Sequence, residues 1–167
     1  MAWTTPRTWT STTLTAAQMN TDVRDNSNYL ATDKAMWNIT RATYQSVATA
    51  TNTEILWDAE HFDNSGVHSL TTNTGRVTCA VAGKYQVNVA INWSNESTAG
   101  YRYVALNING SPFLGGETAP TTVGYVGQTL STLVSVTAGQ YLTVVAYQNS
   151  GVAVGISGKF SGFWVGF

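Results

Sequence analysis

Apolar and polar positions alternate most cleanly between residues 75 and 93. Val77, Cys79 and Val81 alternate with polar or small residues. Tyr85, Val87, Val89, Ile91 and Trp93 then alternate with Gln86, Asn88, Ala90 and Asn92. A period of two puts each set on its own face of a strand. One face is apolar and the other is rich in amides, which fits a sheet packed on one side only. Ala82-Gly83-Lys84 interrupts the run and reads as a tight connection between two antiparallel strands.

The strand pattern begins at Tyr44. Residues 53–57 form a short apolar run, and Asp63-Asn64-Ser65-Gly66 carries turn chemistry. Residues 101–108 read as a strand that ends on Asn109-Gly110, a hairpin signal. Residues 111–127, with Pro112, Gly115, Gly116, Pro120 and Gly124, read as loop-rich. Residues 130–136 and 141–147 form another expected strand pair. Its break, Ala138-Gly139-Gln140-Tyr141, echoes Ala82-Gly83-Lys84-Tyr85, so one turn solution is used twice. A short strand over 152–156 follows the turn at Asn149-Ser150-Gly151.

The last stretch, residues 160–167, has large residues on both parities. Phe163, Val165 and Phe167 point one way, and Phe160 and Trp164 the other. A strand apolar on both faces needs cover on both. A symmetric oligomer supplies the second cover, which places Phe160, Phe163, Trp164 and Phe167 at a self-association interface.

Residues 1–13 have no periodicity but carry Trp3, Pro6, Arg7 and Trp9. Thr15-Ala16-Ala17-Gln18 has the form of a capping box, so a helix is expected from about Ala16 to Ala31. Met19, Val23 and Leu30 make a narrow apolar stripe, and Asn26, Ser27 and Asn28 are poor helix formers. Such a helix needs a neighbouring surface to be stable. Residues 31–44 look like a linker, although Met36, Trp37 and Ile39 could pack on the head. The expected division is an anchor over 1–43 and a head over 44–167.

Composition narrows the function. Of the 167 residues only 10% are charged and the net charge is -1, so a basic footprint for nucleic acid or an anionic membrane is missing. After Glu117 the only charged residue is Lys159. A surface this poor in charge tends to self-associate. The single cysteine, Cys79, sits at an inward position and reads as a buried, inert thiol. No apolar signal core opens the sequence and no segment is long enough to span a membrane, so synthesis in a cytoplasm without membrane insertion is expected.

The densest ionisable cluster is Asp58, Glu60, His61, Asp63 and His68. Carboxylates and imidazoles suit divalent metals. The spacing matches neither a calcium-binding loop nor a zinc-protease helix, so a polar loop with no metal and no cofactor is expected. Ser65-Gly66 and Ser157-Gly158 lack the context of a nucleophile elbow, and phosphate-cradling glycine motifs are absent. The expectation is a protein that is not an enzyme.

Two resemblances extend this reading. The opening Trp-Thr-Thr-Pro-Arg-Thr-Trp, followed by Leu14-Thr15-Ala16-Ala17-Gln18-Met19-Asn20 and Arg24-Asp25-Asn26, resembles the N-terminal segment of tailed-bacteriophage minor structural proteins. The resemblance implies a virion protein made in a host cytoplasm. Trp3, Pro6, Arg7, Trp9, Met19, Val23 and Leu30 would then attach it to other capsid or tail proteins. The second resemblance lies in the head. Gly75, Gly83 and Tyr85, with Val77 and Ala80 at the Phe and Pro positions, resemble the Gly-x-Phe-x-x-Pro-x-x-Gly-x-Tyr motif of the complement globular head. That head is the C1q-like branch of the tumour necrosis factor superfamily. Phe160-Ser161-Gly162-Phe163 is similar to its closing signature, and Asn109-Gly110 to a strand-linking turn. The resemblance implies an all-β, ten-stranded jelly-roll sandwich that forms a homotrimer, here without the family's collagen stalk.

Recognition usually sits on loops. Residues 95–100 and 111–127 are the expected ligand loops, with Asn95, Tyr101, Phe113 and Tyr125 as contacts for a host cell-surface glycan. Two alternatives stand beside this: a carbohydrate-binding module using Tyr101, Tyr103 and Tyr125, and a capsid-stabilising cement protein with no external ligand.

Overall fold

The computed structural model describes residues 4–5, 7–8, 10, 13–29, 34–94, 99–118 and 125–166. The chain divides into two compact units, Met1–Lys34 and Ala35–Phe167. Trp3, Pro6, Trp9, Leu30, Asn95 and Phe167 lie outside the described residues.

In the first unit the capping box forms as expected. Thr15 N–H donates to Gln18 Oε1 at 2.8 Å, and Gln18 N–H donates to Thr15 Oγ1 at 3.2 Å. The helix starts as α1 (Ala16–Met19), winds as a π-helix over Asn20–Asp25, and returns as α2 (Asn26–Asn28). Asp22 and Asn26, one turn apart, hold the preceding arm. Arg7 pairs with Asp22. Thr4 N–H donates to Asn26 Oδ1 at 3.0 Å, and Asn26 Nδ2 donates back to the Thr4 carbonyl at 2.9 Å. The stripe residues Met19 and Val23 are exposed, at 43% and 45%.

The second unit is a sandwich of ten described strands. The first sheet has the order β3 (Ala59–Asp63), β1 (Met36–Val47), β10 (Val154–Gly166), β5 (Gly83–Trp93), β8 (Val126–Val136). The second has β2 (Thr53–Glu54), β9 (Tyr141–Gln148), β6 (Arg102–Ile108), β7 (Ser111–Thr118), with β4 (Arg76–Thr78) also on β9. All the strand pairs are antiparallel. The alternation over 85–93 is realised: Tyr85, Val87, Val89, Ile91 and Trp93 are buried, and the amide-bearing set faces outward. Cys79 is buried as well.

Several expected connections differ. Residues 76–93 are not a hairpin, because β4 pairs with β9 in the second sheet while β5 lies between β10 and β8 in the first. The β8–β9 connection likewise crosses between sheets. These two corners bond to each other: Cys79 N–H donates to the Gln140 carbonyl and Gly139 N–H to the Cys79 carbonyl, both at 2.8 Å. Residues 111–118 form an edge strand instead of a loop. Pro112 is tolerated at an edge, and Gly115 leaves room for Tyr103, whose hydroxyl would lie 2.2 Å from a Cβ there.

The expected linker is also part of the head, since β1 begins at Met36 and places Trp37 and Ile39 in the core with no exposed surface. The interface assignment of Phe160 and Trp164 is corrected for the same reason. They lie on the inward parity of β10, exposed by 0% and 3%, and leave no side-chain surface for a partner. Trp164 Nε1 donates to the Ala82 carbonyl at 3.2 Å. Phe163 and Val165 occupy the outward parity, exposed by 42% and 51%.

A chain cut to residues 35–167 is expected to fold with the thermal midpoint of the full-length head. A chain beginning at Tyr44 loses Trp37 and Ile39 together, each truncation of this type being worth about 2–5 kcal/mol. Circular dichroism melting distinguishes the two. A cooperative transition for the chain starting at Tyr44 contradicts the packing role of β1.

Candidate functional site

The ionisable cluster resolves into separate structural tasks. Asp58 fills a break in β1, where the register with β10 shifts between Arg41 and Gln45. Its carboxylate accepts from Ala42 N–H at 2.7 Å, from Thr43 N–H at 3.2 Å and from the Thr43 hydroxyl, and pairs with Arg41 at 3.2 Å. Burial pushes this carboxyl up. The hydrogen bonds from Thr43 and Ala42, with the Arg41 charge, outweigh burial and hold it below its usual range. Glu60 instead faces His68, with Nδ1 and Oε1 2.6 Å apart, while His68 Nε2 faces the Thr74 carbonyl at 2.9 Å. Asp63 accepts from the backbone N–H groups of Ser65 and His68, at 3.2 and 2.9 Å. Among the described residues no three His, Cys, Asp or Glu side chains are grouped to hold a metal.

The outward face of the first sheet is the candidate self-association surface. Strand register lines up Met36, Phe163, Gln86 and Leu133 in one row. Leu133 and Phe62 are exposed, as Phe163 and Val165 are, so large apolar side chains gather at the end where β1 starts and β10 finishes. In the next row, Phe62 at the edge is followed by Asn38, Ser161, Asn88 and Ser131, all polar. Ser131 Oγ donates to Asn88 Oδ1 at 2.8 Å, and Gln86 Nε2 to Ser131 Oγ at 3.0 Å. β5, β8 and β10 together contain two lysines, Lys84 and Lys159, and no acid.

The opposite end of the sandwich carries Tyr101 and Tyr125. Tyr125 is 73% exposed and immediately precedes β8. Two buried amides stiffen the turns around them. Gln148, fully buried, donates to the carbonyls of Val47 and Val152 at 3.1 and 2.7 Å, and accepts from Ser150 N–H and Oγ at 2.7 Å each. Gln128 accepts from Trp93 Nε1 at 2.7 Å and donates to the carbonyls of Arg102 and Gly116 at 3.0 and 3.1 Å. Fully satisfied networks of this kind rigidify their surroundings. Neither glutamine was singled out above; their inward parity on β8 and β9 was the available signal. Tyr101 N–H donates to Asn149 Oδ1 at 2.9 Å, and its ring lies 5.4 Å from that of Tyr147.

Phe113 does not join this group. It sits in β7 beside the Asn109-Gly110 turn, at the other end of β6 from Tyr101. Phe113 lies level with the step between Leu106 and Asn107, so the five residues 102–106 separate it from Tyr101 along the strand, about 18 Å.

No protein-family model matches the chain, and no curated protein matches it in sequence. The structure is similar to the globular domain of zebrafish complement 1qA protein, with a TM-score of 0.63 at 12% sequence identity. That match covers 79% of this chain and 97% of that one. The fold is therefore the all-β jelly roll of the C1q globular head. Among the described residues no helix is long and apolar enough to cross a membrane.

The depressed Asp58 carboxyl sets a pH dependence. Its folded value lies below the unfolded one, so its stabilisation is present above about pH 4 and is lost as pH falls through the folded value. Asp58→Asn should cost about 1 kcal/mol at neutral pH, a small figure because the group is partly solvated. It should also flatten the acid limb of a Tm-against-pH profile. An acid limb identical to wild type would remove Asp58 as its source.

Proposed function

We propose that this chain is a homotrimeric, non-enzymatic binding knob carried on a tailed-bacteriophage particle, with its N-terminal unit as the attachment element and its head contacting the host surface. The opening motif supports the virion setting, through its resemblance to phage minor structural proteins. The C1q-head fold supports a recognition module that works as a trimer.

The observation that carries the reading is the unequal distribution of surface over the head. The exposed apolar side chains Phe163, Val165, Leu133 and Phe62 gather where β1 starts. The exposed tyrosine and the stiffened turns lie at the opposite end. The first patch suits burial between copies of the chain. The tyrosine end lies away from the apolar patch, so assembly through that patch leaves it free to meet a ligand. Three copies per knob, repeated over a particle, turn weak single contacts into useful avidity.

Light scattering should give three times the chain mass at micromolar concentration. Phe163→Asp should lower that mass while the fold persists, because it buries an unpaired charge between subunits. Trp164→Asp should unfold the head instead. Monomer for the wild type, or an unaltered trimer for Phe163→Asp, contradicts the assembly.

Recognition is tested separately. Tyr125→Ala should leave the melting temperature within about 1 °C, as expected for an exposed side chain away from structural features. It should reduce the ability of the purified head to compete with phage particles for host cells. Unchanged competition, together with particles that become fragile when the protein is removed, would favour the cement role.

A further inference from the structure

The outward face of the second sheet holds an open groove of about 620 Å³, a volume in the range of small-molecule sites. It is distinct from the loop end and from the apolar patch. Ala105, Asn107 and Thr143 line it, with Tyr103 and Glu54 also contributing. Strand register explains the hollow. Ala105 lies between Val145 on one side and Gly115 on the other, so the middle of the sheet carries small side chains. Tyr103 folds over Gly115, where a Cβ would meet its ring. Glu54 lies against Gly75, where a Cβ would come 2.2 Å from Oε1. Two glycines thus make room for the side chains that border the groove.

A bulge shapes the remaining wall. Leu106 is opposite Leu114 and Asn107 is opposite Pro112, so Phe113 is the extra residue and is turned out to solvent. Bulges of this kind re-aim side chains beside binding sites. Asn107, beside this one, is 7% exposed, and its Oδ1 has no hydrogen-bond partner. Its Nδ2 reaches only the Gly110 carbonyl, at 3.4 Å. A buried amide oxygen without a partner is destabilising, and native structures rarely keep one. Asn107 lines the groove, and a turn of its terminal amide torsion, which is a soft one, presents Oδ1 to a donor held there.

We propose that this groove is a saccharide-binding site, with Asn107 Oδ1 accepting from a sugar hydroxyl, Glu54 accepting at the rim and Tyr103 offering an apolar ring. The proposal rests on the reading of the head as a recognition module and adds a second ligand site on the sheet, apart from the tyrosine end. The lining offers amides and hydroxyls, which both donate and accept, with one carboxylate and no Lys or Arg, so it suits a hydroxyl-rich ligand that carries no negative charge. A neutral sugar fits better than an amine. The one carboxylate, on Glu54, belongs to an exposed residue at the rim, whereas the buried acceptor is a neutral amide.

The test is an NMR titration of the full-length ¹⁵N-labelled protein with glucose, galactose, N-acetylglucosamine, n-butylamine and inorganic phosphate as separate probes. At least one sugar should shift the amides of Ala105, Asn107, Thr143 and Val145 saturably at millimolar concentration. Asn107→Leu should weaken that binding about tenfold or more while melting at or above the wild-type temperature, because it removes an unpaired buried acceptor. Glu54→Gln, an exposed change that does not threaten folding, should weaken sugar binding only a few fold. Shifts with butylamine alone, abolished by Glu54→Gln, would overturn the neutral-sugar assignment. Sugar shifts confined to residues around Tyr101 and Tyr125 would overturn the groove and leave the loop reading intact. No shift with any probe would overturn the site, while the oligomer and adsorption experiments above would stand on their own results.

Discussion

The head closes around one contact, the indole of Trp37 against the bare backbone of Gly162. A Cβ at Gly162 would fall 2.4 and 2.5 Å from two atoms of that ring. In the space glycine leaves, Trp37 packs edge-on to Phe160 at 5.7 Å and tilted to Tyr85 at 6.1 Å. Trp57 reaches the same Phe160 at 5.6 Å. Buried aromatic side chains of this size dominate core energetics. Much else follows from the seating. β1 must belong to the head, because it supplies the ring. Phe160 and Trp164 must face inward, because they flank the gap. Phe163 and Val165 are then forced outward, and the apolar surface left for another copy is theirs.

The faces of β5 and β10 were legible in the sequence, and the partners of those strands were not. Alternation reports which side chains share a side, and this held across 85–93 and along β10. It carries no information about which neighbour a strand bonds to. A hairpin and a corner between sheets leave the same break in the pattern. Here the breaks at 82–84 and 138–140 are corners. The echo between them reflects a physical pairing, since the two bond through Cys79, Gly139 and Gln140. Gly83 has φ +137°, and a Cβ there would lie 2.4 Å from the Gly166 carbonyl oxygen. That requirement comes from the far end of the chain and is invisible locally. β7 was hidden by its own composition, because glycine and proline signal loops unless the strand is an edge that must make room for Tyr103.

The N-terminal unit shows the same limit on a smaller scale. The capping box could be read from four residues because its two bonds are local. The grip of Asn26 on Thr4 joins residues 22 positions apart, which no periodicity encodes. For the candidate sites, exposed aromatics were visible as residue types. Their grouping was not: Tyr101 and Phe113 were read as members of one loop set, yet they lie at opposite ends of β6.

The amides of the head show why one of them stands apart. On the outward face of the first sheet, Gln86 and Asn88 satisfy each other through Ser131. In the interior, Gln128 and Gln148 each bridge backbone and side-chain partners and tie turns together. Both arrangements turn a polar group in a crowded place into a source of order, as expected when every donor and acceptor is matched. Asn107 is buried to a similar degree as Gln128 but leaves its acceptor unmatched. Asn38 Oδ1, on the first sheet, also lacks a partner, but Asn107 is the more deeply buried of the two and is the one that lines a groove. The bulge at Phe113, the hollow over Ala105 and the glycines behind Tyr103 and Glu54 all leave space on the side of the sheet that Asn107 faces, and space beside an unmatched acceptor is what a hydroxyl-bearing ligand needs.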